Sequence, residues 1–445
     1  MIFNGIPGGE DTMTTITLRI KSLLTGVALV MLCASGPVLA QDSDAAALEA
    51  RVEQLEALVK KLTATKGEAP APVAAAEAKP ASTTTYKFGG YAKFDAMFSD
   101  YSDGTPDGNS LMRQFYYAPQ IPIGDGTSSS DSTTDFQARE SRLNFRADTT
   151  TGGGDKVTAF VEMDFLTHGD GNEVVSNSYS PRLRHAFIKY NKWTFGQTWS
   201  TFMDVSVLPE ALDFVGPAES TTFIRQAMIR YTSGNLELAV ENPETFVNAG
   251  ISGITPVRGL STIPDLIARY TFKMSGGSYV RVAGLVRSLQ IQDTGTGSQA
   301  DETGFGVSAS AKFVFDNGSD LRAMATFGDG VGRYVGLGFV PDGYIDATTG
   351  NIETAESLAW FVSYRAVWND RWRSNFMYGT TSIDYNDDLQ AAGLNDTGSS
   401  FHVNLIRNVL PKLDIGAEVI FGEREIVNGT DGDFTRFMLS AKYAF

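Results

Sequence analysis

Ten arginines share one parity in segments where apolar and polar residues alternate: Arg142, Arg146, Arg230, Arg269, Arg281, Arg287, Arg322, Arg365, Arg373 and Arg436. The guanidinium plane grips a carboxylate or a phosphate through two parallel hydrogen bonds. The acids of the same parity are fewer: Glu140, Glu162, Asp164, Glu237, Glu241 and Glu418. Lined up along a narrow water-filled tube with low-dielectric walls, such a row concentrates anions. The opposing expectation is that these arginines pair with lumen acids and fill a polar wall. For the row as a whole, anion passage is the favoured reading.

Other chemistry finds little support. The three histidines, His168, His185 and His402, stand at no metal-ligand spacing from one another, and no Ser–His pairing can be argued. The single cysteine, Cys33, lies in a removable leader, so no thiolate site or disulfide framework is expected. Gly328 to Gly332 reads Gly-Asp-Gly-Val-Gly at a strand end rather than before a helix, which favours a glycine-rich loop over a phosphate cradle. No enzyme, cofactor, metal or nucleic-acid partner is expected. The net charge of -16 runs against a cationic lumen, so what matters is where the arginines lie.

Strands must position these groups. From Thr84 onward the hydrophobic period is two. Runs start near Tyr86, Phe136, Lys156, Arg182, Trp193, Ala227, Leu236, Leu266, Tyr279, Phe305, Leu321, Leu358, Trp372, Phe401, Leu413 and Thr435. That is roughly sixteen segments of about the ten-residue length that tilted membrane strands need. Short turns (Thr151 to Asp155, Asn191-Lys192, Ser233 to Asn235) alternate with long loops (Asp100 to Thr134, Thr167 to Ser180, Met203 to Ile224) along the chain. A soluble sandwich has no reason for that alternation, whereas an outer-membrane β-barrel is built this way. The fold class is therefore all-β transmembrane, a roughly 16-stranded antiparallel barrel over residues 85–445. An even strand number places both chain ends on the short-turn side, the periplasm. The outer face is apolar, with ring side chains such as Tyr86, Trp193, Trp372 and Tyr443 near strand ends, where aromatic girdles meet lipid headgroups.

The loop Met203 to Ile224 mixes Val207, Leu208, Leu212, Phe214 and Val215 with Asp204, Glu210, Asp213 and Glu219. So much apolar surface calls for burial. Folding into the barrel would narrow the pore and set the four acids against the arginine wall; packing against a trimer neighbour is the competing expectation.

Ahead of the barrel, residues 1–40 read as a signal peptide, with Arg19 and Lys21 basic, Leu23 to Leu32 apolar, Val38-Leu39-Ala40 before the cleavage site, and Met13 a candidate start. Residues 41–62 follow with Ala45, Leu48, Val52, Leu55, Val59 and Leu62 stepping by three and four, the seam of a short coiled coil. Residues 63–84 are an Ala/Pro-rich linker. The last run places Phe437, Leu439, Ala441, Tyr443 and Phe445 on one face and Arg436, Met438, Ser440 and Lys442 on the other.

These features together resemble the DcaP-like trimeric porins. The segments that carry the likeness are Phe195 to Phe202 (FGQTWSTF), Leu208 to Phe214 (LPEALDF), Arg230-Tyr231-Thr232 and Glu241 to Thr245 (ENPET). The resemblance implies a homotrimer of barrels in the outer membrane of a Gram-negative bacterium, with a periplasmic stalk that is a candidate for contact with peptidoglycan. It further implies passive uptake of small anionic solutes, notably dicarboxylates. Phosphate-selective porins look like distant relatives, and two-pronged arginine recognition serves both kinds of anion. A structural protein tethering the envelope through its coiled coil is the alternative from another class.

Overall fold

The computed structural model describes residues 82–445, except 125–128, 168–170, 174, 249–256, 261, 294–296, 347–348 and 386–392, together with Glu53, Gln54, Ala57 and Lys60. Those four are helical and exposed, while the seam of the expected coiled coil and the signal peptide lie outside the described residues.

Alternation builds the wall. In the final strand Phe434, Arg436, Met438 and Ser440 are buried, while Phe437, Leu439 and Tyr443 are exposed. One face thus meets lipid and the other meets the interior. The strands are β1 (Thr83–Tyr101), β2 (Asp131–Gln137 and Arg142–Thr150), β3 (Lys156–Asp164), β4 (Arg182–Tyr190), β5 (Trp193–Trp199) and β6 (Arg225–Ser233). They continue as β7 (Leu236–Glu241), β8 (Asp265–Lys273), β9 (Tyr279–Asp293), β10 (Gln299–Val314) and β11 (Asp320–Asp329). The last five are β12 (Glu356–Val367), β13 (Trp372–Asp384), β14 (Asn395–Leu410), β15 (Leu413–Ile426) and β16 (Asp431–Ala444). Both pieces of β2 pair with β1, and Val257–Gly259 extends the β8 edge against β9.

Every neighbouring pair is antiparallel, and β16 pairs back onto β1 from Tyr91↔Ala444 to Tyr101↔Phe434. The result is a closed barrel of sixteen strands without a free edge, which is what a membrane demands of β-structure. Tight turns such as 191–192 and 234–235 use left-handed backbone at Asn191 (φ 51°) and Gly234 (φ 63°). Gln290 to Asp301, which the sequence marks as a long loop, is instead largely strand: β9 and β10 stay paired out to Gln292↔Gln299.

The interior is not empty. Loops 102–130, 200–224 and 330–355 pack on one another through a buried cluster that includes Tyr116, Phe202, Phe223, Tyr334 and Phe339. Phe223 N–H donates to Tyr334 O at 3.0 Å, and Thr222 bridges Val335. Two inward glycines make room for these loops. A side chain at Gly379 would meet Ser220 Oγ at 2.1 Å and Pro217 Cβ at 2.5 Å, and one at Gly398 would meet the Phe339 ring at 2.6 Å.

Candidate pore and its charged wall

Loop 200–224 lies against inward-facing side chains from around the barrel. Arg269 on β8 donates to Met203 O, Arg322 on β11 to Leu208 O, and Lys93 on β1 to Leu212 O at 2.6 Å. Asn404 on β14 reaches Glu210 O at 2.9 Å, and Glu418 on β15 accepts Leu212 N–H at 2.6 Å. Contacts to so many strands hold the loop across the lumen.

Its acids meet distinct partners. Asp204 pairs with Arg281 and accepts from Tyr279 (3.1 Å) and Ser310 (2.7 Å). Glu210 pairs with Arg373 at 2.7 Å and Arg365 at 3.1 Å. Asp213 accepts Tyr116 N–H at 3.0 Å and stands 3.9 Å from Arg436, and burial pushes its carboxyl upward despite that charge. Glu219 is fully buried, accepts from Ser400 at 2.8 Å, and burial raises its pKa to about 7.

The arginine row is therefore largely charge-paired. Arg146 is held by Asp148 (2.7 Å), Arg269 by Glu237 (2.5 Å), Arg322 by Asp320 (2.5 Å) and Arg373 also by Asp414 (2.9 Å). Arg230 donates to Thr201 Oγ1 at 2.7 Å and to Trp199 O, with Glu237 4.0 Å away. Two expected pore arginines are walled in. Arg287 is 2 % exposed beneath Asp342 (2.6 Å), and Arg436 is 0 % exposed under loop 102–130, where it donates to Met112 O. The physical reason is that loop residues occupy the lumen in front of them.

Between the loop and β2–β5 a cavity of about 420 Å³ remains. It is lined by Arg142, Phe160, Glu162, Arg184, His185, Phe187, Thr198 and Trp199 from the wall, and by Val205, Leu208, Phe214 and Phe223 from the loop. Here the arginines outnumber the acids. Arg182 grips Asp164 at 2.8 and 2.9 Å, while Arg184 bridges Asp164 (2.8 Å) and Glu162 (2.9 Å). Arg142 comes only within 3.6 Å of Glu162, and its buried Nε has no hydrogen-bond partner. Arg225 has no carboxylate within 4.0 Å among the described residues, and its buried Nη1 is unpartnered; it lies 4.6 Å over the Trp199 ring. Nearby Glu140 is already taken by Lys93. Three guanidiniums thus share two carboxylates, and the fourth, Arg225, has none within reach among the described residues.

Arg182, Arg184 and Arg225 were not among the expected pore residues. Arg182-x-Arg184 opening a strand was a usable signal. Arg225 was not legible, because its parity is opposite to Gln226, Met228 and Arg230 and only its stacking on Trp199 brings it to the site. A bulge between Glu162 and Met163 in the β3–β4 ladder also turns His185 and Arg184 inward together. His402 is buried between Ser400 (3.1 Å) and Glu418 (3.3 Å), which makes it part of the loop's seat. Among the described residues no group of His, Cys, Asp and Glu is arranged to hold a metal ion.

A closed sixteen-stranded barrel with an inward loop is the frame on which the comparison with known proteins rests. Residues 48–445 match the DcaP outer membrane protein family. The chain belongs to that family. Its fold is shared with the outer membrane channel DcaP of Acinetobacter baumannii, at 24% identity and a TM-score of 0.65, with 83% of this chain and 99% of that chain covered. An anion-selective porin from Comamonas acidovorans also shares the fold, at 10% identity and a TM-score of 0.51, covering 82% of this chain and 100% of that one. No curated protein matches the chain. As a member of this family the chain is an outer-membrane barrel.

Proposed function

We propose that the barrel is a passive diffusion channel, moderately selective for small organic anions such as dicarboxylates. One observation carries this reading: the excess of guanidinium over carboxylate at Arg142, Arg182, Arg184 and Arg225 around the cavity beside the loop. Around the loop Arg281, Arg365 and Arg373 each meet one of its carboxylates, so those pairs hold the loop and this corner sets the sign of the field. In a confined passage an uncompensated charge is poorly screened and enriches its counter-ion. Loop 200–224 is the constriction, and its acids Asp204, Glu210, Asp213 and Glu219 fasten it to the wall.

The purified protein in a planar bilayer with a KCl gradient tests the reading. The wild type gives a reversal potential on the anion side, and Arg142→Gln with Arg225→Gln moves it toward zero or beyond. A cation-selective wild type, or an unmoved potential in the double variant, overturns it. Succinate against phosphate in the same recording separates carboxylate from phosphate preference.

The same proposal includes a homotrimer, chain ends at the periplasmic side, a signal peptide over 1–40, a coiled-coil stalk over 41–62 and a linker over 63–84. Three heptads are too few to hold chains together alone, so native mass spectrometry of a chain lacking residues 42–62 finds trimers; monomers would reverse that ranking. The buried cluster joining three loops inside the barrel favours a second reading, a largely closed barrel serving as an envelope anchor. Absence of conductance in the bilayer selects it.

A further inference from the structure

The cavity beside the loop is cationic, and it is also aromatic. Phe160, Phe187, Trp199 and Phe214 line it together with Arg142 and Arg184. The Trp199 ring has Arg225 at 4.6 Å and Arg184 at 5.7 Å, so two guanidiniums lie within cation–π range of one indole. Phe214, contributed by the loop, has Arg184 at 5.6 Å and Arg182 at 5.8 Å. An aliphatic dicarboxylate would satisfy the charge here and leave the rings unused. A flat ring bearing one carboxylate uses both: the carboxylate meets the under-partnered guanidiniums, and the ring lies against Trp199 and the phenylalanines.

We propose that this cavity is a binding subsite for aromatic carboxylates, a solute class narrower than organic anions in general. The inference rests on the anion reading above and adds the ring to it. The space of about 420 Å³ accommodates a substituted benzene ring with water to spare. Edge and face contacts between rings add to simple burial, and a carboxylate against a desolvated guanidinium forms a charge-assisted pair. Binding here orders the solute beside the constriction, because Phe214, Leu208 and Val205 belong to the loop. Retention at this point is expected to slow small-ion flow.

The test uses the intact protein in planar bilayers and in detergent. Benzoate added to a KCl recording produces resolvable current blocks, while cyclohexanecarboxylate and acetate at equal concentration block roughly tenfold less often or for shorter times. Benzyl alcohol, which carries the ring without the charge, does not block. Isothermal titration gives the same order. Trp199→Leu weakens benzoate roughly tenfold and leaves acetate unchanged, and Arg225→Met weakens both acids. Equal block by benzoate, cyclohexanecarboxylate and acetate in the wild type overturns the proposal without any variant. Benzoate affinity unchanged in a correctly folded Trp199→Leu protein overturns it too. The reversal potential in plain KCl is read from the same channels, so a wild type that is anion-selective but shows no preference for the ring counts against the subsite alone.

Discussion

The carboxylate of Glu210, carried by the loop inside the barrel, is clasped by the guanidinium of Arg373 on β13, with Nη2 at 2.7 Å from Oε1 and Nε at 2.9 Å from Oε2. Asp414 takes the same guanidinium from the other side at 2.9 Å, and Arg365 reaches Glu210 at 3.1 Å. The pair is a two-pronged fastening between the loop and a wall strand. It also cancels two lumen charges.

Replacing Glu210 with Gln keeps the shape of the side chain and removes its charge. Arg365 and Arg373 are then left with Asp320 and Asp414 alone, and the lumen gains net positive charge. The chloride-to-potassium permeability ratio is expected to rise roughly twofold, and the thermal stability of the barrel to fall by about 1–2 kcal/mol. An unchanged reversal potential in a KCl gradient places Glu210 outside the ion path.

Gly379 faces inward on β13 where Ser220 and Pro217 come closest. Gly379→Val cannot be accommodated without displacing that part of loop 200–224. Overpacking of this kind costs about 1–3 kcal/mol, and here the loop is the softer partner. Single-channel conductance is expected to rise and become noisier, with Gly379→Ala intermediate. Conductance equal to the wild type in the valine variant would mean that the loop does not set the constriction.

Glu219 supplies a pH dependence. Burial raises its carboxyl from 4.5 to about 7, so within that window the folded protein binds more protons there than the unfolded chain. The stability it contributes is complete below about 4.5 and is lost as pH rises through about 7. Melting midpoints in detergent are expected to be lower at pH 8 than at pH 5. Glu219→Gln is expected to remove this difference. The same pH difference in the Gln variant and the wild type would assign the effect elsewhere.

Much of the wall could be read before any coordinates. Alternation such as Phe437, Leu439 and Tyr443 against Arg436, Met438 and Ser440 records lipid on one side and the interior on the other, and it repeats sixteen times. The inner arginines were legible by parity for the same reason. Their partners were not, because Arg281 finds Asp204 and Arg373 finds Glu210 only when a loop far away in sequence folds back into the barrel. Nor was the cationic corner, which depends on a bulge in β3–β4 and on Arg225 stacking over Trp199 against its own parity. Periodicity encodes the medium around a strand. It carries no information about which loop will fill the space inside.

The seam between β1 and β16 has a consequence for how the protein is made. Tyr91 through Tyr101 can find Phe434 through Ala444 only after everything between them has been laid in place. Contacts of such long sequence separation form slowly. Until they do, both outermost strands present unsatisfied amides and carbonyls, an adhesive pair of margins in any compartment they cross. Until that seam forms the sheet is an open ribbon, and the contact that makes it a finished vessel is its closing stitch.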